Sequence, residues 1–492
     1  MSDPSQSAAD QAAFDFLFSR VNYERRDAVP YRSREYKLDR MHELLSRLGD
    51  PQLRFPIVHI AGTKGKGSTA AFLSSVFTSA NYRVGVFSSP HLDRIEERLA
   101  IDGEPCETKT LVRLIDRLRP IIATMDAEAR DRAGGEIGPT YFEITTALAL
   151  MHFAAARVDV AVLEVGLGGR LDSTNVCEPI CCAITSISFD HMRQLGNTLS
   201  AIAREKAGII KPGIPVVSGV ADAEPRDEIR QTAKDNNSRL IEFERDYAVK
   251  YHAPAFADSS QLGSATNGTR GESETMVSAE YGRLDYSSKS DGMHLQQVDL
   301  GLLGSHQARN AGVALACIDQ LRRDGWKISE EAIRQGLRNA RCRARIEVLS
   351  RRPTVIIDAA HNAASVEALL ATLDDSFPPG PRTLVFGTTI EKDVRGMLMQ
   401  LLPRFDQTIV TRYLNNPRAI SPEELAMVAS ERGATNVRVC GDPSAAWRTV
   451  EGSLTEDHLV CVTGSFFIAA EMRREIEVAL QQMKSAKGHA CR

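Results

Sequence analysis

An apolar, strand-like run, Ile57-Val58-His59-Ile60, passes through Ala61 into Gly62-Thr63-Lys64-Gly65-Lys66-Gly67-Ser68. Three glycines at this spacing let the backbone turn tightly enough for its N–H groups to converge on an anion. A helix expected over residues 69–80 adds unpaired amide donors and partial positive charge at its start. Lys66 can follow the charge of a phosphate, and the Ser68 hydroxyl can face Mg²⁺. Strand, glycine-rich loop and helix form the P-loop arrangement, whose chemistry is phosphate binding. The spacing departs from the usual pattern, because Ile60 stands where the first glycine should fall and Gly67 separates Lys66 from the hydroxyl. A glycine–lysine loop without a ligand is the alternative; the agreement of strand, loop and helix weighs against it.

Further reactive side chains follow other apolar runs. Residues 82–87 lead into Ser88-Ser89-Pro90-His91, and residues 158–165 (VDVAVLEV) carry Glu164 just before Gly166. Glu164 ends a buried strand in a P-loop domain, where a carboxylate that coordinates Mg²⁺ or positions water is expected. An N-cap or a loop salt bridge is the other reading. His191, after the run 180–187 and Asp190, is either a ligand or a satisfied core histidine. Lys206, in Arg204-Glu205-Lys206 on a helix expected over 198–208, reads by itself as a solvated surface lysine.

The elements that must position these residues alternate between strand and helix. Helical spacing covers residues 14–20 and 38–48, the second stopped by Gly49-Asp50-Pro51. Residues 126–138 read as a loop, 140–156 as a buried helix, 214–218 as a strand and 306–321 as a helix. The near-continuous apolar runs are those of strands covered on both faces. Residues 253–292 are rich in Ser, Gly, Ala and Thr, and read as a surface insertion with a hairpin around Ser290-Asp291-Gly292. After a linker at 341–345, a second series of strands (354–357, 383–386, 407–410 and 458–462) ends in Asp358, Gly387, Thr411 and Thr463-Gly464-Ser465. The expected fold is α/β: a P-loop domain with a mainly parallel sheet over 1–342, and a smaller Rossmann-like C-terminal domain over 346–492. Polar residues gather after the carboxyl ends of strands in both halves, the edge where open parallel sheets bind ligands.

The chain has 492 residues, 43% apolar and 25% charged, with a formal charge of −4. That balance offers no global attraction for nucleic acid. The nine cysteines show no paired spacing, and Cys181-Cys182 lie in an apolar run, as buried free thiols do. Cys177 with Cys181 as metal ligands is the weaker alternative. The N-terminus MSDPSQSAADQ lacks the basic and apolar regions of a signal peptide, and no apolar segment reaches the length of a membrane span. A reducing cytoplasm is expected.

Several stretches in order, AGTKGKGSTAAFL, SSPHL with ERLAIDG, FEITTALA, LEVGLGGRLDSTN, SFDHMRQLGNTLSAIAREKAGIIKPG, HQARNAGVAL, DAAHN and TGSFF, resemble the folylpolyglutamate synthase/dihydrofolate synthase family of the Mur ligase superfamily. The resemblance runs from residue 14 to 475. It implies an ATP-dependent amide ligase of folate biosynthesis that adds L-glutamate to a folate or dihydropteroate carboxylate through an acyl phosphate. It implies that Gly62, Thr63, Lys64, Gly65, Lys66, Gly67, Ser68, Asn310, Arg345 and Asp358 bind the nucleotide. Ser89 and Glu164 would hold one Mg²⁺, and Glu164, His191 and Lys206 a second, with Lys66, Lys206 and His191 as the catalytic set. An ammonium cannot ligate a cation, so the implied form of Lys206 is carboxylated by CO₂. His361 and Ser465 are linked with the incoming glutamate. The implied partners are small molecules only (ATP, L-glutamate, and a folate or dihydropteroate), with no nucleic acid, no membrane and a monomeric state.

Three departures from the family pattern stand out. Lys64 replaces an asparagine, Arg341-Cys342-Arg343-Ala344-Arg345 replaces Trp-Pro-Gly-Arg, and Ala359 replaces the glycine of DGAHN, so no strained backbone is expected at 359. Two other readings remain. A peptidoglycan-precursor Mur ligase usually carries an N-terminal UDP-sugar domain, for which the about sixty residues before Ile57 leave little room. A nucleotide-gated interaction module would have no use for a second metal set.

Overall fold

The computed structural model describes residues 4–22, 38–131, 138–254, 281–289 and 292–490. Contacts divide the chain into two units: Met1–Lys250 with Leu284–Val298 and Gln307–Ala340, and Tyr251–Arg283 with Asp299–His306 and Arg341–Arg492.

In the first unit, seven strands form one sheet: β1 (Ile57–Ala61), β2 (Val84–Phe87), β3 (Leu99–Ile101), β4 (Val160–Glu164), β5 (Cys181–Ile184), β6 (Val216–Ser218) and β7 (Leu240–Glu242). Their order is β3-β2-β4-β1-β5-β6-β7. Every neighbouring pair is parallel except β2 with β3. All five residues of β1 and of β4 are buried, which is why both read as unbroken apolar runs. The chain leaves β1 toward β2 and leaves β5 the other way toward β6, so the winding reverses between β1 and β5. Crevices of this kind lie at the carboxyl edge of the sheet. Register aligns Ile60 with both Glu164 and Ala183, so the ends of β1, β4 and β5 meet at one level.

The helix after β1 spans Lys66–Ser79, three residues earlier than its apolar spacing indicated, so Lys66, Gly67 and Ser68 form its first turn. Its buried Phe72, Leu73, Val76 and Phe77 hold it on the sheet, each such burial worth about 1.5–3 kcal/mol. The helices Tyr141–Ala156 and Leu199–Ala207 start at the expected threonines: Thr140 and Thr198 accept from Glu143 N and Ala201 N. The expected loop at 126–138 is corrected in part. The helix Thr108–Asp131 continues through its first six residues, carried by an apolar stripe that includes buried Met125 and Ala129. Residues 132–137 lie outside the described residues.

Strands β8 (Tyr247–His252), β9 (Gly282–Ser288) and β10 (His294–Leu300) form a small sheet in the order β10-β9-β8. Ser288 N donates to Met293 O beside the expected hairpin turn, whose residues 290 and 291 lie outside the described residues. So do residues 255–280, most of the expected insertion.

The second unit holds β11 (Glu347–Arg351), β12 (Thr354–Ile357), β13 (Arg382–Phe386), β14 (Gln407–Val410), β15 (Val437–Val439) and β16 (Leu459–Thr463), ordered β11-β12-β16-β13-β14-β15. The neighbours are parallel except β11 with β12. Ala359 is absent from the residues with positive φ, but Ala344 (φ 53°) and Ile346 (φ 50°) in the preceding segment adopt it.

One close approach fixes the seat of the helix Lys66–Ser79. Gly336, on the helix Glu330–Asn339, faces Val76, and a Cβ there would lie 2.5 Å from Val76 Cα and 2.7 Å from its N. Gly336→Ala gains about 1 kcal/mol of helix propensity. The backbone clash outweighs that gain, since overpacking of this kind costs about 1–3 kcal/mol. A lowered thermal midpoint is expected; an unchanged or raised one would show that the two helices are not seated this closely.

Candidate functional site

The glycine-rich loop is tied to the end of β5. Thr63 N donates to Ser186 O (2.8 Å), Thr185 Oγ1 donates to Lys64 O (2.6 Å), and Ser186 Oγ bonds both the N and the O of Lys64 (3.0 Å each). Two glycines make the turn possible. A Cβ at Gly62 (φ 151°) would fall 1.9 Å from Thr185 Oγ1, and one at Gly65 (φ 86°) would fall 2.2 Å from Asn310 Oδ1. The Asn310 amide therefore lies against the start of the helix Lys66–Ser79. It comes from the second turn of the helix Ser305–Arg323, with its Nδ2 donating to Gln307 Oε1 at 3.0 Å.

Both catalytic-candidate lysines turn to one carbonyl. Lys66 Nζ donates to Gly62 O at 3.2 Å and Lys206 Nζ to the same oxygen at 3.1 Å. Glu164 Oε1 is 4.0 Å from Lys66 Nζ, and Glu164 is 6% exposed. Its other oxygen, Oε2, lies 3.6 Å from the position a Gly67 Cβ would take. Ser68 is buried in the same first turn. Lys206 is 5% exposed, so the surface reading fails. Burial, and then the neighbouring Lys66 charge, push its amine down from 10.5 to about 7, against the pull of Asp190 and Asp172.

His191 is not in the core. It precedes the short helix Met192–Leu195 with φ 48°, its side chain is 54% exposed, and its Nε2 is 3.9 Å from Asp190 Oδ2. Ser89 is half-buried in the loop after β2. Among the described residues, no three His, Cys, Asp or Glu side chains gather as a ready metal cluster. Glu164 offers a buried carboxylate beside the glycine-rich loop. A cation set that includes Lys206 fits only if its nitrogen is converted to an oxygen-bearing anion.

In the second unit, Asp358 follows β12. Its Oδ2 accepts from Ile346 N (2.9 Å) and its Oδ1 from Ala360 N (2.7 Å). Burial raises its carboxyl, while the Arg345 charge and these two N–H groups oppose the rise. The Arg345 guanidinium sits 4.8 Å from the centre of the Phe466 ring, and the His361 ring is 6.0 Å from the same ring. His361 Nδ1 lies 2.9 Å from Ala359 O, so it carries the hydrogen. Ser465 is buried between Gly387 O, to which its hydroxyl donates at 3.3 Å, and Ile468 N at 3.1 Å.

The sequence reading missed Thr185 and Ser186, although they end an apolar run as the chosen residues do. It also passed over Phe466, which brings Arg345 and His361 together, and Asp172, a buried carboxylate that accepts from Thr174 Oγ1, Thr174 N and Leu167 N.

Residues 108–318 match the Mur ligase middle domain, and residues 344–466 the Mur ligase glutamate ligase domain. A Bacillus subtilis (strain 168) protein named dihydrofolate synthase/folylpolyglutamate synthase is 33% identical over 442 residues, covering 89% of this chain and 95% of that protein. The chain belongs to the folylpolyglutamate synthase/dihydrofolate synthase family. Two solved members of that family share its fold. Mycobacterium tuberculosis folylpolyglutamate synthase, complexed with ADP and AMPPCP, has a TM-score of 0.79 at 30% identity, covering 95% of this chain and 98% of that one. Escherichia coli FolC, in complex with DHPP and ADP, has a TM-score of 0.74 at 28% identity with the same coverage. The fold class read from the sequence stands, and this folylpolyglutamate synthase/dihydrofolate synthase family member is a ligase.

The depressed Lys206 amine has a stability consequence. The cost of burying the charge is absent above pH 10.5, grows as pH falls, and is fully present below about pH 7. At neutral pH it is on the order of a few kcal/mol. In CO₂-depleted buffer, Lys206→Met is therefore expected to be more stable than the parent at pH 7 and about equal near pH 10.5. Urea unfolding at the two pH values checks this; a stability difference that does not change with pH would contradict it.

Proposed function

We propose that the protein joins L-glutamate to a folate or dihydropteroate carboxylate at the expense of ATP, through an acyl phosphate. The observation that carries the reading is the pairing of Lys66 and Lys206 on Gly62 O, with Glu164 beside them, at the carboxyl ends of β1 and β4. The γ-phosphoryl group of ATP passes to the substrate carboxylate, leaving ADP. The glutamate amine attacks the acyl carbon, loses a proton, and phosphate departs. Such a transfer depends on positioning and on spreading negative charge.

Each residue has a part in this scheme. The N–H groups from Gly62 to Ser68 cradle the phosphates, and Lys66 balances the charge on the transferring group. Asn310, seated against Gly65, keeps the loop open to the nucleotide. Arg345 and Asp358 contact its nucleoside end, and His361 and Ser465 the incoming glutamate. Ser89 and Glu164 would hold one Mg²⁺, and Glu164, His191 and a modified Lys206 a second. When bound, the cations neutralise phosphate charge and polarise the transferring group. An amine brought down to about 7 is partly neutral at physiological pH. In that form it can attack CO₂, form an N–C bond and release a proton, which supports a carboxylated Lys206. The protein named for both activities in Bacillus subtilis favours use of both carboxylate substrates. The buried cysteines are free thiols, in keeping with a reducing cytoplasm, and a monomer is the proposed state. Among the described residues, no helix is long and apolar enough to cross a membrane.

The experiment supplies ATP, glutamate and either dihydropteroate or tetrahydrofolate, and follows ADP and glutamylated product. Both substrates are expected to react, and Lys66→Ala to lose at least about a hundredfold in kcat with its thermal midpoint retained. Product from one substrate alone would reject dual use. Turnover only with a UDP-sugar peptide would move the protein to the peptidoglycan-precursor class. ¹³C-bicarbonate should give a carbamate signal that is lost in Lys206→Ala; no signal would reject the modification.

A further inference from the structure

The connection between β2 and β3 carries Ser89, and the 3-10 turn Ile95–Arg98 just before β3 holds it closed. At one end, Ser88 N donates to Arg98 O at 3.4 Å. At the other, the Glu97 carboxylate accepts from Leu92 N (2.9 Å), Asp93 N and Arg94 N (3.2 Å each). Between these anchors, Arg98 Nε donates to His91 Nδ1 at 2.8 Å. Arg98 is 1% exposed, and its guanidinium lies 5.5 Å from the centre of the Tyr141 ring. Tyr141 opens the helix Tyr141–Ala156, whose capping box of Thr140 and Glu143 fixes its start. A continuous path therefore runs from a capped helix, through a buried cation, to an imidazole two residues from Ser89.

Burying a guanidinium is costly, and an apolar side chain of similar volume would fill the space more cheaply. Arginine is needed here for direction: its Nε–H is a fixed donor and cannot accept. The His91 Nδ1 accepts this bond, so the ring is held as the Nε2–H tautomer, and rotating it would break the bond to Arg98 Nε.

We propose that Arg98 is a positioning residue for nucleotide binding: through His91 Nδ1 it sets the conformation in which the loop presents the Ser89 hydroxyl. The inference rests on the reading of Ser89 as a Mg²⁺-holding residue, and the test separates the two. Asparagine places an amide oxygen where Nδ1 stands, whereas glutamine reaches the Nε2 position and leaves Nε of Arg98 without its acceptor.

The experiment measures binding of a non-hydrolysable ATP analogue by calorimetry, with and without Mg²⁺, for the parent, Ser89→Ala, His91→Asn, His91→Gln, His91→Ala and Arg98→Met. The readout is the gain in affinity on adding Mg²⁺, which a loss of general stability does not move. Ser89→Ala, His91→Ala and His91→Gln are each expected to lose about tenfold of that gain, and His91→Asn to keep most of it. Their metal-free affinities should match the parent's. Arg98→Met should behave as His91→Ala; if it does not fold, the asparagine–glutamine comparison still decides. Loss in Ser89→Ala with no loss in His91→Ala, or equal behaviour of His91→Asn and His91→Gln, overturns the positioning role alone. No loss in Ser89→Ala overturns the Ser89 assignment and the inference with it.

Discussion

The oxygen of Gly62 accepts from two lysine side chains, and the glycine-rich loop is built around that pairing. Lys66 reaches it from the first turn of its own helix, and Lys206 from a helix some 140 positions further along. Burial first, and the like charge of Lys66 second, bring the Lys206 amine down to about 7, where it is partly neutral. Two amines held on one carbonyl favour an anion nearby, which is what the proposed reading supplies. Stability is given up locally for that readiness, as buried functional charges commonly require.

The carbonyl can serve both lysines because the loop around it is held open. Thr185 and Ser186 clamp Lys64, and the same threonine occupies the space that a side chain on Gly62 would need. Parallel register brings Glu164 level with Ile60, so strand pairing, and no feature of the glutamate itself, decides that its carboxylate stands beside Lys66. The second unit uses the same edge of its own sheet differently. Asp358 turns both oxygens to backbone N–H groups, and Phe466 gathers Arg345 and His361 on one ring. There the carboxylate is pinned by backbone N–H groups and favoured by the Arg345 charge, where the first unit sets amine against amine.

Much of this was legible in the chain. The runs 57–60 and 158–165 announce buried parallel strands because both faces of each strand must be apolar. The glycine spacing announces an anion loop because only glycine tolerates those backbone angles and approaches. Thr140 and Thr198 mark helix starts because their hydroxyls satisfy amides that the helix cannot. The early start of the helix Lys66–Ser79 was hidden, since Lys66, Gly67 and Ser68 have no apolar periodicity. The helical continuation to Asp131 was hidden for the converse reason: a polar face is visible in sequence, whereas the packing that holds its few apolar residues is not.

What the sequence determined alone is therefore local and periodic: strand, loop and helix, their caps, and the donor types that follow each strand. What tertiary structure decided is which of those donors share an environment. Arg204-Glu205-Lys206 reads as solvated helix surface, yet Lys206 is buried on Gly62 O while Arg204 pairs with Glu228 in solvent. His191 reads equally as core or ligand, and only the fold puts its ring in the open. Burial and charge proximity depend on elements far apart in the chain. The shift of a lysine from surface cation to half-neutral amine arises from sheet order and helix packing, which no stretch of sequence contains by itself.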